Sequence, residues 1–491
     1  MYLIASDFYT YHRPSKCALR VYLRHREITE GPLSPYDEVI RRLGQRHEET
    51  HLATFASVVN LRGGTREERM KRTREEVGRG APVIYQAVLH ARTELSGVEC
   101  DVAGDPDFLI NKEGRYVIRD SKVSKRITEK AHPEIFRQLQ IYGWLYEKTF
   151  GHSPLRLEVH SGPGDLVEIP YDGGITALAL LQEILSLKQD RAEPFSPVGW
   201  SNCGNCGFHD RCWPIAEKNR DVALVPGVDQ GLAIALRQEG ITTMDDFVAR
   251  FDAITLAEYK RPRGGKSVRV GKDAASILQM ARALVSGKET IIQPPDVPNH
   301  PNYVMFDLEG LPPQLDELEK IYLWGLQIYG ERPSSYKAAK AGFGVDGDRQ
   351  GWETFLAEAN AIFEEYGDLP FVHWHIYERT KLEMYIERFG DRDGIAARVH
   401  HNLLDLHPRT ESSIALPLPS YSLKVIEQYV GFKRTQDEYG GNWAMAKYIE
   451  ATETEDDELR RKVMDQILLY NQEDLAATWA VFQWLRSKCA A

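Results

Sequence analysis

The stretch Val98–Val123, VECDVAGDPDFLINKEGRYVIRDSKV, decides how the first part of this 491-residue chain is read. It predicts one strand over VECDVAGDPDFLI, a turn at NKEGR, and a second strand over YVIRDSKV. Tyr116, Val117 and Ile118 suit a strand, and Asn111 to Gly114 carry turn chemistry. Pairing the two strands would bring Asp107 near Asp120. Strand side chains alternate, so Asp120 and Lys122, two apart, face the same side. Two carboxylates and a lysine suit metal-assisted cleavage of phosphodiesters: the ion activates water, and the ammonium positions it or stabilises the transition state. A D-x-K triplet is common by chance, and an ordinary hairpin with a surface ion pair is the alternative. Context decides between them.

That context lies on both sides. Upstream stands Gly44-x-x-His47-Glu48. Downstream, IFRQLQIYGWLYEKTF repeats apolar residues at helical spacing and places Gln138 and Tyr142 one turn apart. The order of these motifs resembles the PD-(D/E)XK nucleases of the RecB type, which have a restriction-endonuclease-like core. The resemblance implies that His47, Asp107 and Asp120 hold Mg²⁺ or Mn²⁺ and that Lys122 is catalytic. By the same resemblance, Gln138 and Tyr142 sit beside the site on a helix that meets substrate.

Six cysteines are too few for a secreted disulfide scaffold. Cys203, Cys206 and Cys212 cluster, and Cys17 lies far upstream. One plus three departs from the two close pairs of a structural zinc site. With Cys17-Ala-Leu-Arg-Val-Tyr-Leu, the pattern resembles the iron-sulfur nucleases related to RecB, including the CRISPR-associated exonucleases and AddB-type proteins. The resemblance implies a structural [4Fe-4S] cluster joining the ends of the nuclease fold, with zinc the alternative. Cys100 and Cys489 read as a core thiol and a tail residue.

A rival reading starts from His47-Glu48-Glu49-Thr50-His51, which fits H-E-x-x-H. On a helix that motif places two imidazoles on one face with a Glu as general base, the arrangement of a zinc peptidase. The extended form with a third His is absent, and the reading leaves Asp107, Asp120, Lys122 and the cysteines without a role.

From Tyr303 the pattern changes. YVMFDLEG and IYLWGLQIY read as strands, and MDQILLYNQEDLAATWAVFQWLRSK reads as a long helix, an α/β segment of its own. Asp307 and Glu309 share a strand face, and Tyr470 and Asp474 share a helix face. This set resembles the DEDD 3′–5′ exonucleases of the RNase H-like fold. The resemblance implies two metal ions bound by Asp307, Glu309, Asp474 and, from the middle motif, Glu378, with Tyr470 orienting water. In FVHWHIYERTKL, Glu378 stands where the family's middle motif has Asp, and His375 lies near its usual Asn. The extra methylene can displace a metal-bound oxygen by about an ångström and cost ~100-fold in rate. Weak or absent cleavage here is therefore an open alternative, as is a solvated acidic surface. Asp405 matches a family position on a structural strand.

Between the two lies a polar segment expected to be helical. Val225-Pro226-Gly227-Val228 resembles a helix-hairpin-helix, which binds a phosphate through backbone N–H groups, with a weaker second copy around Gly271. Lys266, Arg269 and Lys272 are its candidate nucleic-acid contacts; a plain helical spacer is the alternative. A phosphate-binding loop would need Gly where Lys260 stands, so a motor must come from a separate helicase.

The net charge of −11 is a poor argument against a nucleic-acid partner, since phosphate binding needs only local cations. No apolar run approaches the roughly 20 residues of a membrane span, and the N-terminus lacks signal-peptide order, so no membrane and a cytoplasmic location are expected. The expected architecture is α/β and multidomain: a restriction-endonuclease-like core over 1–215, a helix-hairpin-helix segment over 216–295 and an RNase H-like domain over 296–491. The expected function is metal-dependent cleavage of nucleic acid, DNA in preference to RNA. The rival from another class is a binding scaffold with vestigial sites.

Overall fold

The computed structural model describes residues 1–12, 17–196, 198–199, 203, 206–263, 266–312, 319–342, 344–436 and 440–489. The chain divides into two compact units. One comprises Met1–Leu33, Asp37–Pro197 and Asn205–Asp210; the other comprises Ser34–Tyr36, Val198–Gly204 and Arg211–Ala491. The middle segment thus falls within the second unit.

The first unit holds two sheets. Strands β1 (Tyr2–Ile4), β5 (Val98–Gly104) and β4 (Leu89–Leu95) form a three-stranded sheet in that order. A six-stranded sheet runs β2 (Val59–Asn60), β3 (Val83–Tyr85), β6 (Phe108–Lys112), β7 (Arg115–Ser121), β8 (Arg156–His160) and β9 (Leu166–Ile169). The stretch predicted as one strand, Val98–Ile110, is therefore two strands in different sheets. Pro106 breaks it, because proline has no N–H to continue a ladder. The hairpin that follows is tight. Asn111 pairs with Tyr116 and Lys112 with Arg115, leaving Glu113 and Gly114 as the loop. Both have positive φ, 54° and 87°, the backbone of a type I′ turn matched to the strand twist.

The connection from β7 to its parallel neighbour β8 carries the helix Pro133–Phe150. Proline opens this helix and Gly151, at φ 78°, ends it. Ile135, Leu139, Ile141, Tyr142, Trp144, Leu145 and Tyr146 are all buried, and so are Glu134, Gln138 and Gln140, so the helix is buried nearly all round. It packs on strands of both sheets, β4 and β5 on one side and β7 and β8 on the other. Gly104 permits that approach: a Cβ there would stand 2.6 Å from Cε1 of Tyr142.

In the second unit, residues 211–289 are helical but not wholly so. The basic stretch from Lys260 folds as a hairpin, β10 (Lys260–Arg263) antiparallel to β11 (Lys266–Arg269), which corrects the all-helical expectation. Pro262 is the local reason, since proline in a helix interior clashes and removes a hydrogen bond. Arg261, buried, is ion-paired with Asp229, the N-cap of the helix Gln230–Gln238. Just before it, Gly227 takes φ 84°, and a Cβ there would meet Cγ1 of Ile277 at 2.6 Å. The segment then runs into β12 (Thr290–Ile291), which pairs with β18 (Ile414–Ala415).

The remaining sheet has the order β15 (Lys337–Lys340), β14 (Lys320–Gly330), β13 (Asn302–Leu311), β16 (Phe371–His373), β17 (Leu403–Asp405). β13, β14 and β15 are antiparallel neighbours, and β16 and β17 run parallel to β13. Alternation divides β13 between two cores. Val304, Phe306 and Leu308 pack with Trp352, Phe355 and Leu382. Tyr303 and Met305 pack with Leu475, Val481, Phe482 and Leu485 of the helix Asp457–Ser487. By the same parity Asp307 and Glu309 fall on the face that this helix covers. Among the described residues no helix is long and apolar enough to cross a membrane.

The Gly104→Ala protein should lose about 1–3 kcal/mol, because the added methyl forces the Tyr142 ring away from β5. The urea midpoint measures it, and an unchanged midpoint would show that the helix rides freely over this position.

Candidate metal centres

Asp307, Glu309 and Asp474 each offer a carboxylate oxygen, and these atoms lie within 4.8 Å of one another. Among the described residues this is the group of three or more acidic, His or Cys ligands that meets such a limit. β13 supplies the first two by its alternation and the helix Asp457–Ser487 supplies the third. Asn471, one turn before Asp474, donates from Nδ2 to Oδ2 of Asp307 at 2.7 Å and accepts at Oδ1 from the Tyr336 hydroxyl at 2.8 Å. Gly325 stands opposite Asp307 in the register, and a methyl there would collide with the Asn471 side chain. Asp474 is ion-paired with both Lys424 and Arg434. Arg434 is itself held by Glu427 through two bonds of 2.7 Å. Lys424 Nζ lies 4.5 Å from the centroid of the Tyr470 ring.

Burial pushes the Asp307 carboxyl well above its ordinary range, and the charges of Asp474, Glu309 and Glu378 add to the shift while Lys424 opposes it. Glu309 is raised in the same way, by burial first and Asp474 next. A divalent cation removes this conflict, because it favours the charged form of every acid around it. The donor set is all oxygen, which suits Mg²⁺ or Mn²⁺.

Glu378 is buried and within electrostatic reach of Asp307, yet its Oε2 accepts from Nδ1 of His373 at 3.2 Å, outside the three-carboxylate group. His375 sits at φ 75° and its backbone N–H donates to Asp405 Oδ1 at 2.9 Å. Asp405 also caps the helix Leu406–Ser413. Tyr470 is buried beside Asp474. Lys424, Arg434 and Asn471 were not read from the sequence. Only Asn471, i−3 from Asp474 on the same helix face, carried a usable signal.

In the first unit the hairpin brings Asp107, Asp120 and Lys122 together. The Asp107 N–H donates to Asp120 Oδ1 at 3.1 Å, and the Ser121 N–H donates to Asp107 Oδ2 at 2.8 Å. Lys122 Nζ donates to Asp120 Oδ2 at 2.9 Å. Burial, then Asp120, push Asp107 well above the usual carboxylate range, with Glu48 adding to the shift and Lys122 opposing it. Burial works against the Lys122 ammonium, but Asp120 and Asp107 outweigh it and hold the pKa above the ordinary lysine value.

The helix Pro35–Leu52 turns Glu48 toward this group. Gln86, at φ 57°, donates from Nε2 to Glu48 Oε1 at 2.6 Å and to Asp107 Oδ1 at 3.3 Å. His47 stands apart from those bonds: its ring stacks on His160 at 4.5 Å, and its Nε2 is 3.4 Å from the His160 carbonyl oxygen. His160 also stacks on His51 at 3.8 Å, and His51 Nε2 is 3.2 Å from the Arg119 guanidinium. Burial pushes His51 and His160 down to about 4, so both are neutral near pH 7. With His160 stacked on both rings, His47 and His51 do not converge on one ion as the peptidase reading needs. Gln138 donates to the Tyr142 hydroxyl at 3.0 Å, and that hydroxyl donates to the Asp105 carbonyl at 3.1 Å.

Of the cysteines, Cys17 and Cys206 belong to the first unit, where the Cys17 thiol is raised by burial above all and also by the Cys206 charge. Cys203 and Cys212 belong to the second unit. Residues 204–205, inside the motif, lie outside the described residues. Lys266, Arg269 and Lys272 lie on or just after β11, and Gly227 is the turn residue noted above.

One comparison with known proteins bears on the C-terminal domain. Residues 304–486 match the family model of the RNase_H superfamily. A search of curated proteins gives no match. Among solved structures, one titled "Crystal structure of SSO0001" is similar at 17% identity, covering 36% of this chain and 96% of that one, with a TM-score of 0.20. The protein thus has a mixed α/β, multidomain architecture whose C-terminal domain is RNase H-like, and that domain contains a carboxylate triad.

An acid whose native pKa is raised contributes its stability at low pH and loses it as pH climbs from the ordinary carboxylate value toward the native one. Without metal, the protein should therefore melt lower at pH 8 than at pH 5. At pH 8 the Asp307→Asn variant should melt about 2–4 °C higher than the parent in EDTA, for each ~1 kcal/mol relieved. Mn²⁺ should raise its melting temperature less than the parent's. Calorimetric scans at both pH values decide this, and a variant that melts lower in EDTA would count against charge conflict at the triad.

Proposed function

We propose that this protein is a metal-dependent nuclease that hydrolyses DNA phosphodiester bonds, at ends or on single strands, through two separate centres. The observation that carries the reading is the convergence of Asp307, Glu309 and Asp474 inside an RNase H-like domain. Bound there, a divalent ion supplies Lewis-acid neutralisation of the scissile phosphate and a more acidic water.

The chain's own groups account for the rest of the chemistry. At the C-terminal centre, Asn471 fixes the Asp307 carboxylate and Arg434 fixes Asp474, so the ligand oxygens are aimed before substrate arrives. At the N-terminal centre we read a RecB-like site in which Asp107 and Asp120, with Glu48 as a third acid and His47 beside it, hold Mg²⁺ or Mn²⁺. Lys122, held at Asp120, presents an ammonium to the phosphate oxygens. Tyr142 and Gln138 lock the Asp105 turn from which Asp107 projects.

The hairpin cations Lys266 and Arg269, with Lys272 and the Gly227 turn of a helix-hairpin-helix, would hold the backbone without reading sequence. Cys17, Cys203, Cys206 and Cys212 are proposed to bind a structural [4Fe-4S] cluster, zinc being the alternative; their spacing and the electrostatic coupling of Cys206 to Cys17 support it. A separate helicase would supply unwinding. A non-catalytic scaffold is the second reading, favoured by the cations on Asp474 and by Glu378's bond to His373.

Labelled single-stranded DNA, duplex DNA and RNA incubated with Mn²⁺ test the proposal on the parent, Lys122→Ala, Asp307→Ala and the double variant. Each single change should remove one cleavage activity by at least ~100-fold, and the double variant should be inert. Cleavage that persists in the double variant, or in EDTA, would sink the assignment. Tight DNA binding with no cleavage under any divalent ion would favour the scaffold.

A further inference from the structure

The triad has a cation built into it. Lys424 is ion-paired with Asp474, and its charge also acts on Asp307 and Glu309, so one ammonium faces all three carboxylates. Its Nζ is held over the Tyr470 ring, a second attraction that fixes its place. The fourth acid that a larger metal cluster would draw on, Glu378, is committed to His373. Arg434 also reaches Asp474, but its charge is matched by the two bonds from buried Glu427.

We propose that the C-terminal centre takes a single divalent cation and that the Lys424 ammonium holds the position of a second. Charge balance is the argument. One divalent ion plus one ammonium balances the three ligating carboxylates, whereas a second divalent ion beside that ammonium would leave two positive charges in excess over those three ligands. Lys424 and Arg434 also draw on one oxygen of Asp474, and Asn471 draws on one oxygen of Asp307. Three carboxylates, each offering one oxygen within 4.8 Å of the others, suffice for one ion. A fixed ammonium can neutralise a phosphate oxygen, but it cannot acidify a bound water as a metal does.

The inference rests on the metal-nuclease reading of this centre, and its test does not depend on cleavage. Mn²⁺ is titrated calorimetrically into the full chain carrying Asp107→Asn and Asp120→Asn, which silences the other centre, and the bound ion is inspected by electron paramagnetic resonance. One Mn²⁺ with an uncoupled spectrum is expected. Adding Lys424→Met should raise the count to two and give a spin-coupled pair, while Lys424→Arg should keep it at one. Asp474 retains Arg434 in both, and a thermal scan confirms folding. Two ions with Lys424 intact, or one ion in a folded Lys424→Met protein, would overturn the proposal while leaving a metal centre in place. No bound ion at all would remove the metal reading of the triad itself.

Discussion

Burying several carboxylates at one point is the constraint around which both acidic clusters are built. An isolated buried carboxylate is costly, and like charges beside it raise the cost, so such a cluster persists only where cations and N–H donors surround it. Asp307, Glu309 and Asp474 illustrate the case. Lys424, Arg434 and Asn471 sit on their oxygens, and Glu427 in turn holds Arg434. Asp107 and Asp120 solve the same problem with backbone N–H groups, Lys122 and the Gln86 amide. In both, the compensation is partial, and Asp107 and Asp307 remain raised.

The fold serves that arrangement through its strands. β13 is buried on both faces, and its alternation sends Phe306 and Leu308 into one core while Asp307 and Glu309 turn toward the helix Asp457–Ser487. A one-residue slip would exchange the faces and destroy the centre, and the close match of Gly325 to Asn471 disfavours such a slip. In the first unit the I′ turn at Glu113-Gly114 sets the register that places Asp107 against Asp120. Short, local features thus determine the geometry of each acid pair.

Particular residues show where sequence reading reached and where it stopped. Asp107, Asp120 and Lys122 were legible because the strand period and a two-residue turn are local properties, and Asp307, Glu309 and Asp474 for similar reasons. Pro106 was present in the sequence but was passed over as a strand interruption, and the basic stretch after Lys260 was taken for helix although Pro262 argued otherwise. Glu48 stands in both the Gly44-x-x-His47-Glu48 motif and the peptidase motif, but neither reading makes it a third acid beside Asp107. Which of two adjacent helical residues faces a site depends on how the helix is rolled against the sheet, and periodicity leaves that roll uncertain by about one residue.

By itself, then, the sequence determined which acids share a strand or helix face, where the turns fall, and that the C-terminal segment runs from strands into a long helix in a way that suits an RNase H-like domain. The tertiary structure alone decided the partners. Lys424 and Arg434 lie 50 and 40 residues from Asp474, and Glu378 turns to His373 instead of joining the triad. The physical reason is range: secondary structure follows from neighbours along the chain, whereas the balance of a buried charge is set by whatever groups packing brings alongside it.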